Sequence, residues 1–249
     1  MNRTRLPIPQ EIDLLRDLGF TDAYPPAPSP ARATSGGRLE RLREVAEEAR
    51  GCTACGLCRA RKTVVFGDGD GEADLMFVGE GPGAQEDRQG LPFVGPAGQL
   101  LTRIIQAMDL RREDVYITNV VKCRPPNNRD PQPDETAACR SFLDRQVELI
   151  APRVIVALGR VAAQQLLGTK NSLGRLRGTW HEAGGVPVRV TYHPAFLLRD
   201  PSYKRATWED MQVVRDRLLD TDGEEATGDA GDDFKAAFGG SGSEDPRSQ

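Results

Sequence analysis

Four short apolar runs, separated by longer segments with helical periodicity, are the feature that most limits how this chain can fold. The runs are LMFVGE (75–80), VYITNVV (115–121), VIVALG (154–159) and VRVTYHP (188–194). Short β-branched runs that alternate with helical patterns are typical of parallel sheets. Helices are predicted at 38–50, 97–109, 132–150, 160–168 and 205–219. The pattern therefore predicts an α/β fold, a three-layer α/β/α sandwich around a central four-stranded, mainly parallel sheet.

Composition divides the 249 residues into three parts, of which residues 38–219 form the predicted folded domain. Residues 1–37 combine an amphipathic helical segment with a linker rich in Pro, Ala, Ser and Gly. Residues 220–249 hold nine acidic and two basic side chains and are predicted to be a disordered acidic tail. Either extension could bind a partner protein.

The net charge of −4 conceals a mildly basic body, because residues 1–219 carry 31 basic and 28 acidic side chains. Such a body can present a positive face to phosphates. No stretch approaches ~20 consecutive apolar residues, and the first twenty residues lack the apolar core of a secretory signal. We therefore expect a cytoplasmic protein.

Residues that carry chemistry follow all four apolar runs. The first run ends in Gly79-Glu80-Gly81, the second carries Asn119, the third reaches Gly159-Arg160, and the fourth ends in His193-Pro194. Ligands of open parallel sheets bind beyond the carboxyl ends of the strands. The four exits are therefore expected to meet at one site.

The glycine-rich segment after the first run allows an alternative. GEGPGA (79–84) formally satisfies the G-x-G-x-x-A pattern of dinucleotide-binding folds. That pattern opens a helix at once, whereas Pro82 and the later breakers predict irregular backbone over about the next dozen residues. The breakers are Gly90, Pro92, Gly95 and Pro96. We therefore regard the dinucleotide match as weak.

Five cysteines, at positions 52, 55, 58, 123 and 139, indicate a metal site. CTACGLC (52–58) contains two overlapping C-x2-C pairs, a spacing that places two thiolates on one metal. Cys123 and Cys139 could complete a four-thiolate site for zinc or for an iron-sulfur cluster. A disulfide framework is disfavoured in a cytoplasmic protein. The role of Cys58 stays open.

Several segments together resemble the family 4 uracil-DNA glycosylases, the iron-sulfur-containing kind. They are GEGPGAQEDRQGLPFVGPAGQLL, VYITNVVKCRPPNNRDPQPDE, IVALG and YHPAFLLRDP. The resemblance covers about residues 38–219 in order and register. It implies a monomeric hydrolase that flips uracil out of single- or double-stranded DNA and excises it for base excision repair.

The resemblance also implies a uracil pocket. The backbone around Gly81 would approach the flipped nucleotide, and Phe93 would stack on the uracil ring. Asn119 would hydrogen-bond the uracil edge, because one amide offers both a donor and an acceptor. Glu86 matches the family residue that excludes the methyl group of thymine.

Two residues are implied to take part in bond cleavage. Glu80 would position water or stabilise the sugar cation, and His193 would donate a hydrogen bond to the departing uracil oxygen. The other histidine, His181, is interpreted as a residue of a surface hairpin. KCRPPNNRDPQ (122–132) contains no histidine that could trap uracil covalently, so turnover is expected.

By correspondence with the family, Cys52, Cys55, Cys123 and Cys139 are assigned to a [4Fe-4S] cluster, with zinc as the alternative. The segment after His193 would enter DNA. Its predicted contacts, and those of the cysteine-bearing loop, are made by Leu197 or Leu198, Arg199, Lys122 and Arg124.

Two other functions are compatible with the pattern. One is a catalytically silent uracil-DNA-binding or repair-adaptor protein on the same fold. The other is a zinc-stabilised nucleotide-binding domain, which predicts a colourless protein with no requirement for DNA.

Overall fold

The structure is a computed structural model, and it describes residues 36–219. The amphipathic segment and linker predicted within residues 1–37 lie outside the described residues, except for the last two positions. The acidic tail predicted at 220–249 lies outside them as well.

A six-stranded sheet forms the centre of the fold, in the order β1-β3-β2-β4-β6-β5. Its four inner strands are parallel, and they are the four predicted runs. Strand bounds are β1 Asp68–Gly69, β2 Leu75–Gly79, β3 Tyr116–Asn119, β4 Val154–Leu158, β5 Trp180–Ala183 and β6 Val186–Thr191.

The sheet has six strands and not the predicted four. The two additional strands, β1 and β5, lie at its edges, and each is antiparallel to its neighbour. Strand β1 has only two residues, too few to produce a periodic pattern. Strand β5, with the sequence WHEA, has no buried residue and so lacks the apolar run that reveals a central strand. It forms a hairpin with β6, which places His181 where the sequence predicted it.

Eight α-helices surround the sheet within residues 36–219. Their bounds are α1 Gly36–Arg50, α2 Ala84–Gln89, α3 Pro96–Ala107, α4 Pro133–Ile150, α5 Arg160–Leu167, α6 Leu173–Leu176, α7 Pro194–Arg199 and α8 Lys204–Leu219. The five predicted helices agree with the observed ones to within two residues at each end.

The sheet is covered on both faces, which confirms the three-layer sandwich. Alternate residues of β2 point to opposite sides: Met76 and Val78 join one apolar cluster, and Leu75 and Phe77 join the other. Helices α1, α4 and α5 contribute to the first cluster, and α3, α7 and α8 to the second. No helix of residues 36–219 is long and apolar enough to cross a membrane.

The irregular backbone predicted after GEGPG was wrong in part, because α2 occupies the middle of that segment. Pro82 precedes this helix and therefore does not interrupt its hydrogen bonds. Gly90 ends the helix in the left-handed conformation at φ 75°. Helix α2 has only six residues, fewer than the dinucleotide-binding pattern requires. The fold therefore does not favour a dinucleotide-binding site.

Candidate active site and candidate metal centre

Two adjacent strand ends bring Gly79 and Asn119 side by side. They are partners in the parallel register of β2 and β3. A methyl group on Gly79 would lie 2.4 Å from Asn119 Oδ1 and 2.5 Å from the tip of the Phe93 ring. The first glycine of the motif is therefore required because an aromatic ring and an amide press against its Cα.

The loop that carries Phe93 is held from two sides. Glu86 Oε1 accepts hydrogen bonds from the backbone N–H groups of Val94 at 2.9 Å and Gly95 at 2.8 Å. On the other side, Arg112 Nη2 donates to the Pro92 carbonyl at 2.6 Å. Phe93 itself has a φ of 50°, a conformation that is uncommon for residues other than glycine. The surrounding contacts thus fix an unusual backbone at the aromatic residue.

Asn119 is buried, with 1% of its surface exposed. Among residues 36–219, no group is hydrogen-bonded to its Oδ1 atom. A buried amide oxygen without a partner costs free energy, on the order of 1–3 kcal/mol. This atom is therefore a candidate acceptor for a ligand.

His193 caps helix α7 and lies beside Phe93. Its ring centroid is 5.7 Å from that of Phe93. The ring nitrogen Nδ1 accepts a hydrogen bond from Ala195 N at 3.1 Å, so in the neutral ring the proton is on Nε2. Burial, together with the charge of Arg199 and against the influence of Glu86, lowers the pKa of His193 to about 4. At neutral pH His193 is an uncharged donor.

Glu80 follows Gly79 and is half-buried. Burial and the neighbouring Asp130 raise its pKa to about 7, and Arg160 opposes this rise. Arg160 also forms an ion pair with Asp130. Glu80 is thus a carboxyl group that changes its charge near neutral pH, a property common among acid and base catalysts.

All five cysteines are free thiols, and all five line one cavity that opens to solvent. Cys52, Cys55 and Cys58 follow helix α1, Cys123 follows β3, and Cys139 lies in α4. In the described part of the chain, no group of three or more His, Cys, Asp or Glu side chains is arranged to hold a metal ion.

Two donors point at sulfur atoms in this cavity. Arg61 Nη1 lies 3.3 Å from Cys123 Sγ and also donates to the Cys52 carbonyl at 2.7 Å. The backbone N–H of Lys122 lies 3.3 Å from Cys139 Sγ. Such N–H groups stabilise thiolate ligands of iron-sulfur clusters and tune them. The chemistry of these donors therefore suits thiolate ligands, while the cysteines of the described residues do not surround a common metal position.

Lys122 was predicted to contact DNA, and the structure contradicts this. Only 1% of its surface is exposed, and its ammonium group lies among acceptors inside the domain. Burial lowers its pKa to about 7. A lysine in this position cannot reach a phosphate on the surface.

The two candidate leucines of the segment after His193 differ in burial. Leu197 is 1% exposed and packs in the core, whereas Leu198 is 45% exposed. Leu198 is therefore the more accessible of the two leucines between which the sequence did not decide, and DNA contact by either one stays a prediction. Arg199 is exposed beside Leu198. Arg124 is half-buried, and its Nε donates a hydrogen bond to Asn128 Oδ1.

Sequence reasoning missed the residues that support the site. Arg61 and Arg112 lie in basic segments without a motif, so no local pattern reveals which sulfur or carbonyl each one meets. Arg160 was singled out as a residue at a strand exit, but its ion pair with Asp130 was not predicted.

A family model described as the uracil DNA glycosylase superfamily matches residues 66–212. This match covers more than half of the chain and, with the residues that meet at the strand ends, defines the class of the protein. The type-4 uracil-DNA glycosylase of Saccharolobus solfataricus is 46% identical over 189 residues, which cover 72% of this chain and 88% of that protein. The chain belongs to the type-4 uracil-DNA glycosylase family.

Two further relatives are also similar to this chain. The type-4 uracil-DNA glycosylase of Thermotoga maritima is 49% identical over 184 residues, 72% of this chain and 95% of that protein. The type-5 uracil-DNA glycosylase of Thermus thermophilus is 36% identical over 149 residues, 52% of this chain and 68% of that protein.

Proposed function

We propose that this protein is a monofunctional DNA glycosylase that flips uracil out of DNA, hydrolyses its N-glycosidic bond and leaves an abasic site for base excision repair. The observation that carries the proposal is the buried amide oxygen of Asn119, which has no partner within residues 36–219. It lies against Gly79 beside the Phe93 ring, at the strand ends where such folds bind ligands.

Recognition of uracil would follow from the action of four residues. Asn119 Oδ1 accepts the N3–H of uracil, and the amide nitrogen donates to O4. The Phe93 ring stacks on the base. Glu86 closes the side where thymine carries its methyl group, and its bonds to the backbone of Val94 and Gly95 support that position. Gly81 supplies backbone close to the nucleotide.

Cleavage transfers the C1′–N1 bonding electrons to uracil, while a water oxygen forms the new bond to C1′. The water loses one proton to solvent, and the uracil anion takes up a proton from solvent after it leaves. Negative charge then develops on uracil O2, and His193 Nε2–H donates to it from a neutral ring. Glu80 in its ionised form orients the water or stabilises the positive charge on the sugar. No step requires a covalent bond between the protein and the sugar.

The candidate metal centre would hold a [4Fe-4S] cluster through Cys52, Cys55, Cys123 and Cys139, with zinc as the less favoured occupant. When bound, the cluster supplies structure by linking the segment after α1, the loop after β3 and helix α4. Support comes from the shared cavity and from the N–H donors at Cys123 and Cys139. We keep a cytoplasmic monomer as the proposed state, with the two extensions as sites for repair partners.

The proposed function is tested with a labelled oligonucleotide that contains one uracil, beside a thymine control, followed by mild alkali and a denaturing gel. We expect strand cleavage only at uracil and only after alkali. Cleavage without alkali would contradict the monofunctional assignment. An iron-containing, folded protein that leaves uracil in place would instead favour the silent DNA-binding protein, and a protein-linked band would indicate covalent trapping.

Replacing Leu198 with Ala is expected to lower excision from duplex DNA about 10-fold and to change excision from single strands much less. Filling the space left by the base matters only where a stack has to be opened. Single-turnover rates on both substrates measure this effect. Leu219→Ala is the control, because Leu219 is 58% exposed at the far end of α8. Equal losses on both substrates would reject insertion by Leu198.

Replacing Cys139 with Ser is expected to remove most of the bound iron and to lower the melting temperature. A buried ligand is then lost from the helix that closes the cavity. Iron content per protein and the visible absorbance are the measurements. Cys58→Ser is the matched control and should keep its iron. Loss of iron in Cys58→Ser with retention in Cys139→Ser would reverse the ligand assignment.

A further inference from the structure

Lys122 connects the uracil-binding strand with the cysteine cavity. Its Nζ atom lies 2.7 Å from the backbone oxygen of Asn119 and 2.7 Å from Thr118 Oγ1. A third acceptor, Gln146 Oε1, lies at 2.5 Å. An ammonium group has three N–H donors, so every donor has an acceptor. One of these acceptors belongs to the main chain of the residue proposed to bind uracil.

The backbone of the same residue contacts the cysteine cavity. Lys122 N lies 3.3 Å from Cys139 Sγ, and the Lys122 carbonyl accepts from Val65 N at 2.8 Å. The next residue is Cys123. Hydrogen bonds therefore connect the end of β3, Lys122 and the cysteine cavity.

The acceptors around the ammonium group are themselves fixed. Gln146 Nε2 donates to the Phe66 carbonyl at 2.9 Å and to the Tyr116 hydroxyl at 3.0 Å. The Thr118 hydroxyl donates to the same Phe66 carbonyl at 2.7 Å. Because strand β3 and helix α4 hold the three acceptors, and the Phe66 carbonyl fixes two of them, the position of Nζ is well determined.

We propose that Lys122 is a positioning residue for uracil recognition, holding the main chain of Asn119 so that its side-chain amide faces the base. This inference rests on the proposed function. Burying a charge is costly, and an apolar side chain of the same length would fill the space without that cost. The ammonium group is therefore better explained by what it holds in place than by packing.

The test is Lys122→Met, which keeps the length of the side chain and removes its donors. We expect kcat/KM for uracil excision to fall on the order of 100-fold, the size of effect that a small misplacement produces. Inhibition by free uracil should weaken in parallel, with iron content equal to that of the wild type. Lys170→Met, at an exposed lysine, should change neither quantity.

A double-mutant cycle with Asn119→Ala separates positioning from general destabilisation. If Lys122 acts through Asn119, Lys122→Met should change the rate of the Asn119→Ala protein less than about threefold. An unchanged loss in that background would overturn the proposal, and so would loss of iron in Lys122→Met.

If Lys122→Met does not fold, Thr118→Val removes one acceptor and takes its place in the cycle. The expected loss is about 10-fold in the wild-type background and disappears with Asn119→Ala. Equal losses in both backgrounds would reject the positioning role of Lys122 and leave the proposed function intact. A wild-type protein that releases no uracil would reject the proposed function itself, and this role with it.

Discussion

Glu80→Gln is expected to lower the rate of uracil excision about 1,000-fold. Glutamine keeps the shape of the side chain but has neither the negative charge nor the basicity that water activation requires. Single-turnover excision at saturating protein measures the chemical step without product release. Binding of uracil-containing DNA should survive, since Glu80 is not proposed to hold the base.

The pH dependence gives a second signature of Glu80. Its pKa is raised to about 7, so the ionised, active form is lost as the pH falls below that value. The rate should be constant well above pH 7 and about 100-fold lower at pH 5. Asp130→Asn removes a repulsive charge and should move the inflection to lower pH. A Glu80→Gln protein with the wild-type inflection would contradict the assignment.

His193→Asn is expected to lower the excision rate on the order of 100-fold to 1,000-fold, with a much smaller change in KM. Asparagine can still accept the hydrogen bond from Ala195 N at the start of α7, so the cap is kept while the donor to uracil O2 is lost. The substitution thus removes an interaction made mainly in the transition state. Excision rate and KM together measure this.

The charge state of His193 provides a second check on its role as a donor to uracil O2. A pKa of about 4 keeps the ring neutral from pH 5 upward, so His193 should add no inflection between pH 5 and 9. A rate that falls as the pH rises through 6 would mean that a protonated histidine is required. The matched control is His181→Asn in the β5–β6 hairpin, which should retain the wild-type rate.

The inner part of the fold could be predicted because buried parallel strands are continuous apolar runs. All five residues of β2 and all five of β4 are buried. The polar edge strand β5 has no such signal. Pro82 was interpreted as the start of an irregular segment, whereas it precedes a helix. Local composition therefore predicts strands that are buried on both faces, and it predicts edge strands and short helices poorly.

The candidate site shows a similar division. The strand-end rule led to Glu80, Asn119 and His193, and the structure places these residues at the ends of β2, β3 and β6. For Lys122 a charged residue in a basic loop indicated a surface contact, and only the three acceptors from β3 and α4 explain why it is buried. Leu197 and Leu198 are adjacent in sequence, and helix α7 decides which of them faces the core.

The most direct test of the account is a crystal structure of the Glu80→Gln protein with uracil bound. We predict the uracil ring stacked on Phe93, with N3–H within hydrogen-bonding distance of Asn119 Oδ1 and O2 within reach of His193 Nε2. The buried amide oxygen of Asn119 would then accept a hydrogen bond from uracil. Uracil bound elsewhere, with Asn119 Oδ1 making no contact to it, would contradict the proposal that this pocket recognises the base.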